Sequence, residues 1–188
     1  MLKRITVFCG SASTSPEIYL QTAEEVGRVI ARQGRVLIYG SGSRGTMGRV
    51  AAGAQQEHGY VIGVNLRRFE NKHPYNKLEV DDYRVAETIQ ERKVIMITEG
   101  DACIALPGGV GTLDELTEIF SLAQLGIYRK PFGILNVDHY FDGFLMQAER
   151  ARQDAFLKEK DYRRMQVSED IETLLRMLDD FREEDEVK

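Results

Sequence analysis

The sequence predicts an α/β fold, a single doubly wound, Rossmann-like domain with a mostly parallel sheet flanked by helices. Three observations predict it. Short runs rich in valine and isoleucine alternate with longer helical patterns along the whole chain, which is how a parallel sheet wrapped by helices is written. The strongest runs are continuously apolar, as strands buried on both faces are. The length of 188 residues, 43% of them hydrophobic, suits one full core. We assign residues 1–182 to one α/β domain and residues 183–188 to an acidic C-terminal tail.

The strand candidates are ITVFC (5–9), RVLIY (35–39), YVIGVN (60–65), DACIAL (101–106) and FGILNV (132–137), with a weaker one at YRRMQV (162–167). Between them the spacing predicts helices over 17–33, 46–58, 86–99, about 111–127, 141–159 and 168–184. Ser15 and Pro16 read as a cap and first-turn pair for the first helix, and Gly34, Gly59 and Gly100 read as stops. Leu66 to Val85, with His73-Pro74 and Asp81-Asp82, reads as one long irregular connection of the kind that often covers a binding site.

A net charge of -5 excludes broad adhesion to nucleic acid, which needs a basic stripe. No segment approaches the roughly 20 apolar residues of a membrane span, and the N-terminal apolar run is too short for a secretory signal. A cytoplasmic protein with no membrane association is expected. Cys9 and Cys103 are too few for a disulfide framework and end apolar runs, so they read as buried thiols. His58, His73 and His139 show no ligand spacing, so no metal and no cofactor is expected.

In open parallel sheets, ligands sit at the carboxyl ends of the strands, where helix N-termini favour anions. Three such ends are rich in small residues: CGSAS (9–13), YGSGSRGTMG (39–48) and PGGVGT (107–112). Gly40 to Gly45 formally match a dinucleotide fingerprint, but the next strand ends in Asn65 where that fingerprint wants an acid, and the match follows the second strand. No Walker A loop is present. A phosphate cradled by backbone amides remains. Gly108, Gly109 and Gly111 let the backbone approach it, and Thr112 supplies a hydroxyl. Glu115 then lies one turn into the helix. Thr112 to Glu115 is equally the pattern of a capping box, in which the two residues only satisfy the helix end. Upstream, Glu91, Arg92 and Lys93 sit on the helix that leads into the glycine-bearing strand, with Met96 one turn on.

The combination of ERK, PGGVGTLDE and YGSGSRGTMG in this relation to the strands resembles the Lonely Guy family of cytokinin-activating nucleotide phosphoribohydrolases, from VFCGSAS through HYFDGFL. The family was long labelled lysine decarboxylase, yet nothing marks a pyridoxal-phosphate lysine. The resemblance implies hydrolysis of the N-glycosidic bond of an adenosine 5′-monophosphate, often N6-substituted, to free base and ribose 5-phosphate. It implies catalytic roles for Arg92 and Glu115, and substrate binding by Gly108, Gly109, Gly111, Thr112, Lys93 and Ser11, with Gly42 and Met96 close by. With an ordinary pKa of about 4.3, Glu115 is expected to be ionised. Two departures from the family pattern are Ile89-Gln90 in place of Met-His, and Gly40-Ser-Gly42 with Thr46-Met-Gly48 in place of a triple glycine followed by a Leu-Met-Gly ending. The competing class is a carrier of a nucleotide or a molybdopterin cofactor, which needs no arginine-glutamate pair.

The helix from 111 carries Leu113, Leu116, Phe120, Ala123 and Ile127 as a stripe for the sheet, with Ile119, Leu122 and Leu125 outside its centre. A helix apolar over so much of its circumference is buried on more than one side. This predicts a homodimer through that helix, in line with the family; contact with the helix at 141–152 is the alternative.

Overall fold

The computed structural model describes residues 1–70 and 80–182. Seven parallel strands form one sheet: β1 (Arg4–Phe8), β2 (Val36–Tyr39), β3 (Val61–Leu66), β4 (Asp82–Ala86), β5 (Ala102–Ala105), β6 (Phe132–Leu135) and β7 (Met165–Ser168). They lie in the order β4-β3-β2-β1-β5-β6-β7. The helices are α1 (Glu17–Arg32), α2 (Gly45–Gln56), α3 (Arg67–Glu70), α4 (Ile89–Glu99), α5 (Val110–Gln124), α6 (Asp142–Gln153), α7 (Glu159–Tyr162) and α8 (Ile171–Asp180).

Alternate strand residues feed two cores. Ile5, Val7, Leu37 and Ile104 pack on α1, α2 and α8. Phe8, Ile38, Cys103 and Ala105 pack on the other face, against Met96 of α4 and Leu116, Ile119 and Ala123 of α5. Burial on both faces is why these strands are written without polar alternation. Both cysteines are buried free thiols, as the sequence predicts.

The order of the strands places the site. The chain lays β2, β3 and β4 to one side of β1, then returns to its other side as β5. The direction of winding reverses between β1 and β5. Their carboxyl ends diverge there, and that is where a crevice opens.

The long irregular connection is corrected in part. Residues 82–86 form β4, an edge strand parallel to β3 in the register Ile62↔Asp82 to Leu66↔Ala86. It escaped the sequence reading because Asp-Tyr-Arg-Val-Ala is half-buried and lacks an apolar run. Its charge serves neighbours: Arg84 pairs with Asp82 at 2.8 Å and also with Glu99. Residues 71–79, with His73 and Pro74, lie outside the described residues, as does the tail at 183–188.

Smaller corrections concern helix ends. Ser15 does not cap α1; its hydroxyl donates backward to the Ala12 carbonyl at 2.9 Å, and Pro16 occupies the cap position. The predicted helix over 141–159 divides into α6 and α7, because Ala155 adopts a left-handed φ of 62°. On α5 the face toward the sheet carries Thr112, Glu115, Leu116, Ile119 and Ala123. Leu113 and Ile127, which the sequence reading placed on that face, are exposed. Among the described residues, no helix is long and apolar enough to cross a membrane.

Candidate active site

The turns after β1 and β5 touch. A Cβ on Gly108 would lie 2.2 Å from Thr112 Oγ1 and 2.9 Å from the Gly10 amide nitrogen, so only glycine lets the two loops close on each other. Thr46, in the first turn of α2, fastens them: its buried hydroxyl accepts from the Gly10 N–H at 2.7 Å and lies 3.3 Å from the Pro107 carbonyl. The three glycine-rich strand ends are one structure. Thr46 shows in the sequence only as the start of Thr46-Met-Gly48, where the family pattern has Leu-Met-Gly, and its role depends on a contact 61 residues away along the chain.

Above these turns lies a cavity of about 620 Å³, walled by the 9–12 and 107–112 loops, by α4 through Ile89, Arg92 and Lys93, and by Tyr19 and Tyr140. Cβ atoms on Gly109 or Gly111 would meet nothing within 4 Å. No protein atom requires glycine there, so the space is open for a ligand to reach the backbone. The N–H groups of Val110 and Gly111, in the first turn of α5, precede the helix's own acceptors. Thr112, 2% exposed, has a buried hydroxyl without a hydrogen-bond partner, and an unsatisfied buried hydroxyl costs about 1–3 kcal/mol. These groups lie at the positive end of a helix, where an anion is favoured.

The capping-box reading of Thr112 and Glu115 is excluded. Gly109 is the cap residue of α5, so Thr112 already lies inside the helix. The Thr-x-x-Glu that does cap is Thr88 to Glu91, on α4. Thr88 Oγ1 accepts from the Glu91 N–H at 3.1 Å, and Glu91 Oε2 accepts from the Glu87 N–H at 2.7 Å. That box fixes the start of α4 at Ile89, three residues later than predicted, and aims Arg92 inward.

Arg92 is fastened by backbone. Its Nε donates to the Val64 carbonyl at 2.9 Å and Nη2 to the Gly40 carbonyl at 3.0 Å. Its Nη1 stands 3.6 Å from Glu115 Oε1, both side chains being 11% exposed. Burial lowers the arginine's pKa, and Glu115 partly restores it. Burial pushes the Glu115 carboxyl from its ordinary value of 4.5 up to about 7, with Arg92 opposing the rise. The expectation that Glu115 is ionised in the ordinary range is therefore corrected. It titrates near neutrality because water is largely excluded from it and its cation is beyond hydrogen-bond distance.

Other predicted residues divide. Ser11 lines the main cavity and also a neighbouring pocket of about 340 Å³, where Gly42 lies with Asn65 and Phe69. Asn65 is committed: it donates to the Tyr83 hydroxyl at 2.8 Å and accepts from the Leu66 N–H. Met96 is 1% exposed and belongs to the core. It lies outside both pockets, because one turn beyond Arg92 the helix passes under the sheet. Lys93 lines the cavity, with its ammonium 3.0 Å from Asp114 and 2.7 Å from Glu118.

A family model described as possible lysine decarboxylase matches residues 47–178. The cytokinin riboside 5′-monophosphate phosphoribohydrolase LOG of Oryza sativa subsp. japonica is 40% identical over 166 residues, 88% of this chain and 68% of that protein. LOG7 of Arabidopsis thaliana, named for the same activity, is 35% identical over 182 residues, 97% of this chain and 83% of its own. The chain belongs to the LOG family. Among solved structures, a molybdenum cofactor binding protein from Rippkaea orientalis superposes with a TM-score of 0.70 at 24% identity, covering 95% of this chain and 96% of that one. The protein TM1055 does so with 0.70 at 19%, covering 95% and 99%. At these identities the likeness is one of fold.

The lysine of this LOG-family site, Lys93, is held by two carboxylates. Tyr140, on the cavity wall, carried no sequence signal; it donates its hydroxyl to the Gly108 carbonyl, and its ring meets Tyr19 edge-on at 5.3 Å. Gly40, which the sequence marks only as part of a glycine-rich turn, lies in the neighbouring pocket and makes room for the guanidinium: a Cβ there would lie 2.0 Å from Arg92 Nη2. In the departure from the family pattern at 89–90, Ile89 lines the cavity and Gln90 does not.

Proposed function

We propose that this LOG-family chain hydrolyses the N-glycosidic bond of a purine nucleoside 5′-monophosphate, AMP or an N6-substituted form, releasing free base and ribose 5-phosphate. The observation that carries this reading is the Arg92–Glu115 pair at 3.6 Å, which lines the same cavity as the Gly108–Thr112 turn that would cradle the phosphate. A carrier needs the cradle and has no use for the pair.

Cleavage leaves the electrons of the C1′–N bond on the departing base and positive charge on the ribose. Water then forms the new C1′–O bond and gives up a proton. Glu115 takes the role of base toward that water and of counter-charge to the oxocarbenium ion. A carboxyl with a pKa of about 7 is suited to accept a proton and return it to the base at neutral pH. Arg92 stabilises charge on the leaving purine. The 5′-phosphate rests on Gly108 to Thr112, with Ser11 beside it, and fixes the sugar so that remote binding lowers the barrier. Ile89 stands on the cavity wall where it bears on the choice of base.

Turnover of AMP is expected to exceed that of adenosine by at least about a hundredfold, measured as base release by chromatography. Equal turnover of the two would contradict the phosphate's role.

The proposal extends to a cytoplasmic homodimer built on α5. In its support, Leu125 and Ile127 at the end of α5 are each 68% exposed. Phe156, whose carbonyl faces Gln124 of α5, is 82% exposed. Light scattering at micromolar concentration is expected to give twice the mass of the chain, and Phe156→Glu to halve it. A monomeric wild type would end this part of the reading.

A further inference from the structure

Tyr140 stands on the cavity wall with the Gly108–Thr112 turn, in a segment of unusual backbone. Asp138 and His139, the two residues before it, adopt left-handed φ of 49° and 58°. Neither is glycine, and side chains in that region cost stability and persist only where the surroundings over-determine them. Asn136, which is buried, supplies part of that restraint. Its Oδ1 accepts from the Phe141 N–H at 2.8 Å and its Nδ2 donates to Asp142 Oδ1 at 2.8 Å, so the turn is closed across Tyr140. The ring meets Tyr19 of α1 at 5.3 Å and Phe141 at 5.1 Å, edge-on in both cases.

What this fixed side chain reaches is backbone. Its hydroxyl donates to the Gly108 carbonyl, which belongs to the same planar peptide as the Gly109 N–H, so fixing the one fixes the direction of the other. The preceding carbonyl, of Pro107, lies 3.3 Å from Thr46 Oγ1. Both peptides of the turn are thus tied to side chains from other elements, just where Gly109 caps α5. Such ties are needed there. Glycine has the freest backbone of any residue, and nothing lies within 4 Å of where a Cβ of Gly109 would stand, so packing does not restrain it.

We propose that Tyr140 is a positioning residue, whose hydroxyl holds the Gly108–Gly109 peptide in the orientation that receives the 5′-phosphate before any substrate is bound. A hydroxyl has one proton to donate, and this one is given to Gly108. A phosphate oxygen would have to take it from the turn. The assignment of the turn to a phosphate rests on the reading above; the restraint of the turn by Tyr140 does not.

The test uses Tyr140→Phe, which keeps the ring and removes only the hydroxyl, with folding checked by circular dichroism. Binding is measured by calorimetry on a Glu115→Gln background, so that ligand survives the titration. Tyr140→Phe is expected to weaken AMP and ribose 5-phosphate alike, about tenfold each, as the loss of one hydrogen bond would. With Glu115 in place, the preference for AMP over adenosine in kcat/KM should shrink by the same factor. In the ligand-free protein, amide NMR relaxation should show Gly108 and Gly109 as ordered as β5 in the wild type and mobile in Tyr140→Phe. A direct bond from Tyr140 to the phosphate would weaken the same ligands but leave those amides ordered, and that result would overturn the proposal. So would wild-type affinity for both ligands in the variant, or a wild type that binds neither. A wild type that binds AMP and releases no base would end the hydrolytic reading, while affinity and relaxation still decide Tyr140.

Discussion

Glu115→Gln is expected to lower base release on the order of 10³-fold while leaving the melting temperature at pH 8 unchanged or higher. The two halves of this result have one cause. The carboxyl is 8% exposed and its pKa is raised to about 7, so the fold favours its protonated form. Between the unfolded value near 4.5 and the folded value near 7, the native state holds a proton that the unfolded chain has released. Stability contributed by this group is therefore lost as pH rises across that interval, and a rise from 4.5 to about 7 corresponds to about 3 kcal/mol. Glutamine is neutral at every pH and removes that loss. A capping glutamate would behave oppositely, its removal costing about 1 kcal/mol of stability with turnover retained. The same titration sets the pH profile: kcat/KM is expected to rise with pH through about 7, as the carboxylate forms, and then level off. A profile already flat from pH 5 upward would show that the ionised group lies elsewhere.

Arg92→Ala is expected to reduce turnover by about 10²- to 10³-fold, with a fall in stability. The side chain satisfies the Val64 and Gly40 carbonyls, and each acceptor left buried and unpaired costs about 1–3 kcal/mol. Lysine does not rescue it, because a single ammonium cannot span two carbonyls and still face a carboxylate as a planar guanidinium does. Gly40→Ala tests the same placement without altering any charge. Gly40 is not among the left-handed residues of the backbone, so alanine fits its conformation; what the methyl meets is Arg92 Nη2, at 2.0 Å. Gly40→Ala should therefore approach Arg92→Lys in activity. Wild-type turnover in Gly40→Ala would show that the guanidinium need not sit where it does.

Much of this site could be read from the sequence because its chemistry is local. The glycines at 108, 109 and 111 mark a backbone that must be approached, and the apolar run before them marks a buried strand whose carboxyl end faces the crevice. What escaped depends on contacts that spacing does not encode. Whether Thr-x-x-Glu caps a helix or serves a cavity was decided by where α5 begins, and it begins at the glycine, three residues early. Met96 follows Arg92 by four residues and shares its helical face in sequence, but the sheet covers that stretch of α4. Strand β4 was hidden because an edge strand needs one apolar face at most. The raised pKa of Glu115 is a property of its burial, which an arginine held 3.6 Å away by the Val64 and Gly40 carbonyls only partly offsets.

Cleavage of a ribosyl–nitrogen bond by Arg92 and Glu115, with the 5′-phosphate held at Gly108 to Thr112, is tested most directly by quantifying free base and ribose 5-phosphate together, from isopentenyladenosine monophosphate, with the wild-type protein and Glu115→Gln. The account predicts equal amounts of the two products from the wild type and almost none from the variant. No base from the wild type, or undiminished release from Glu115→Gln, would contradict it.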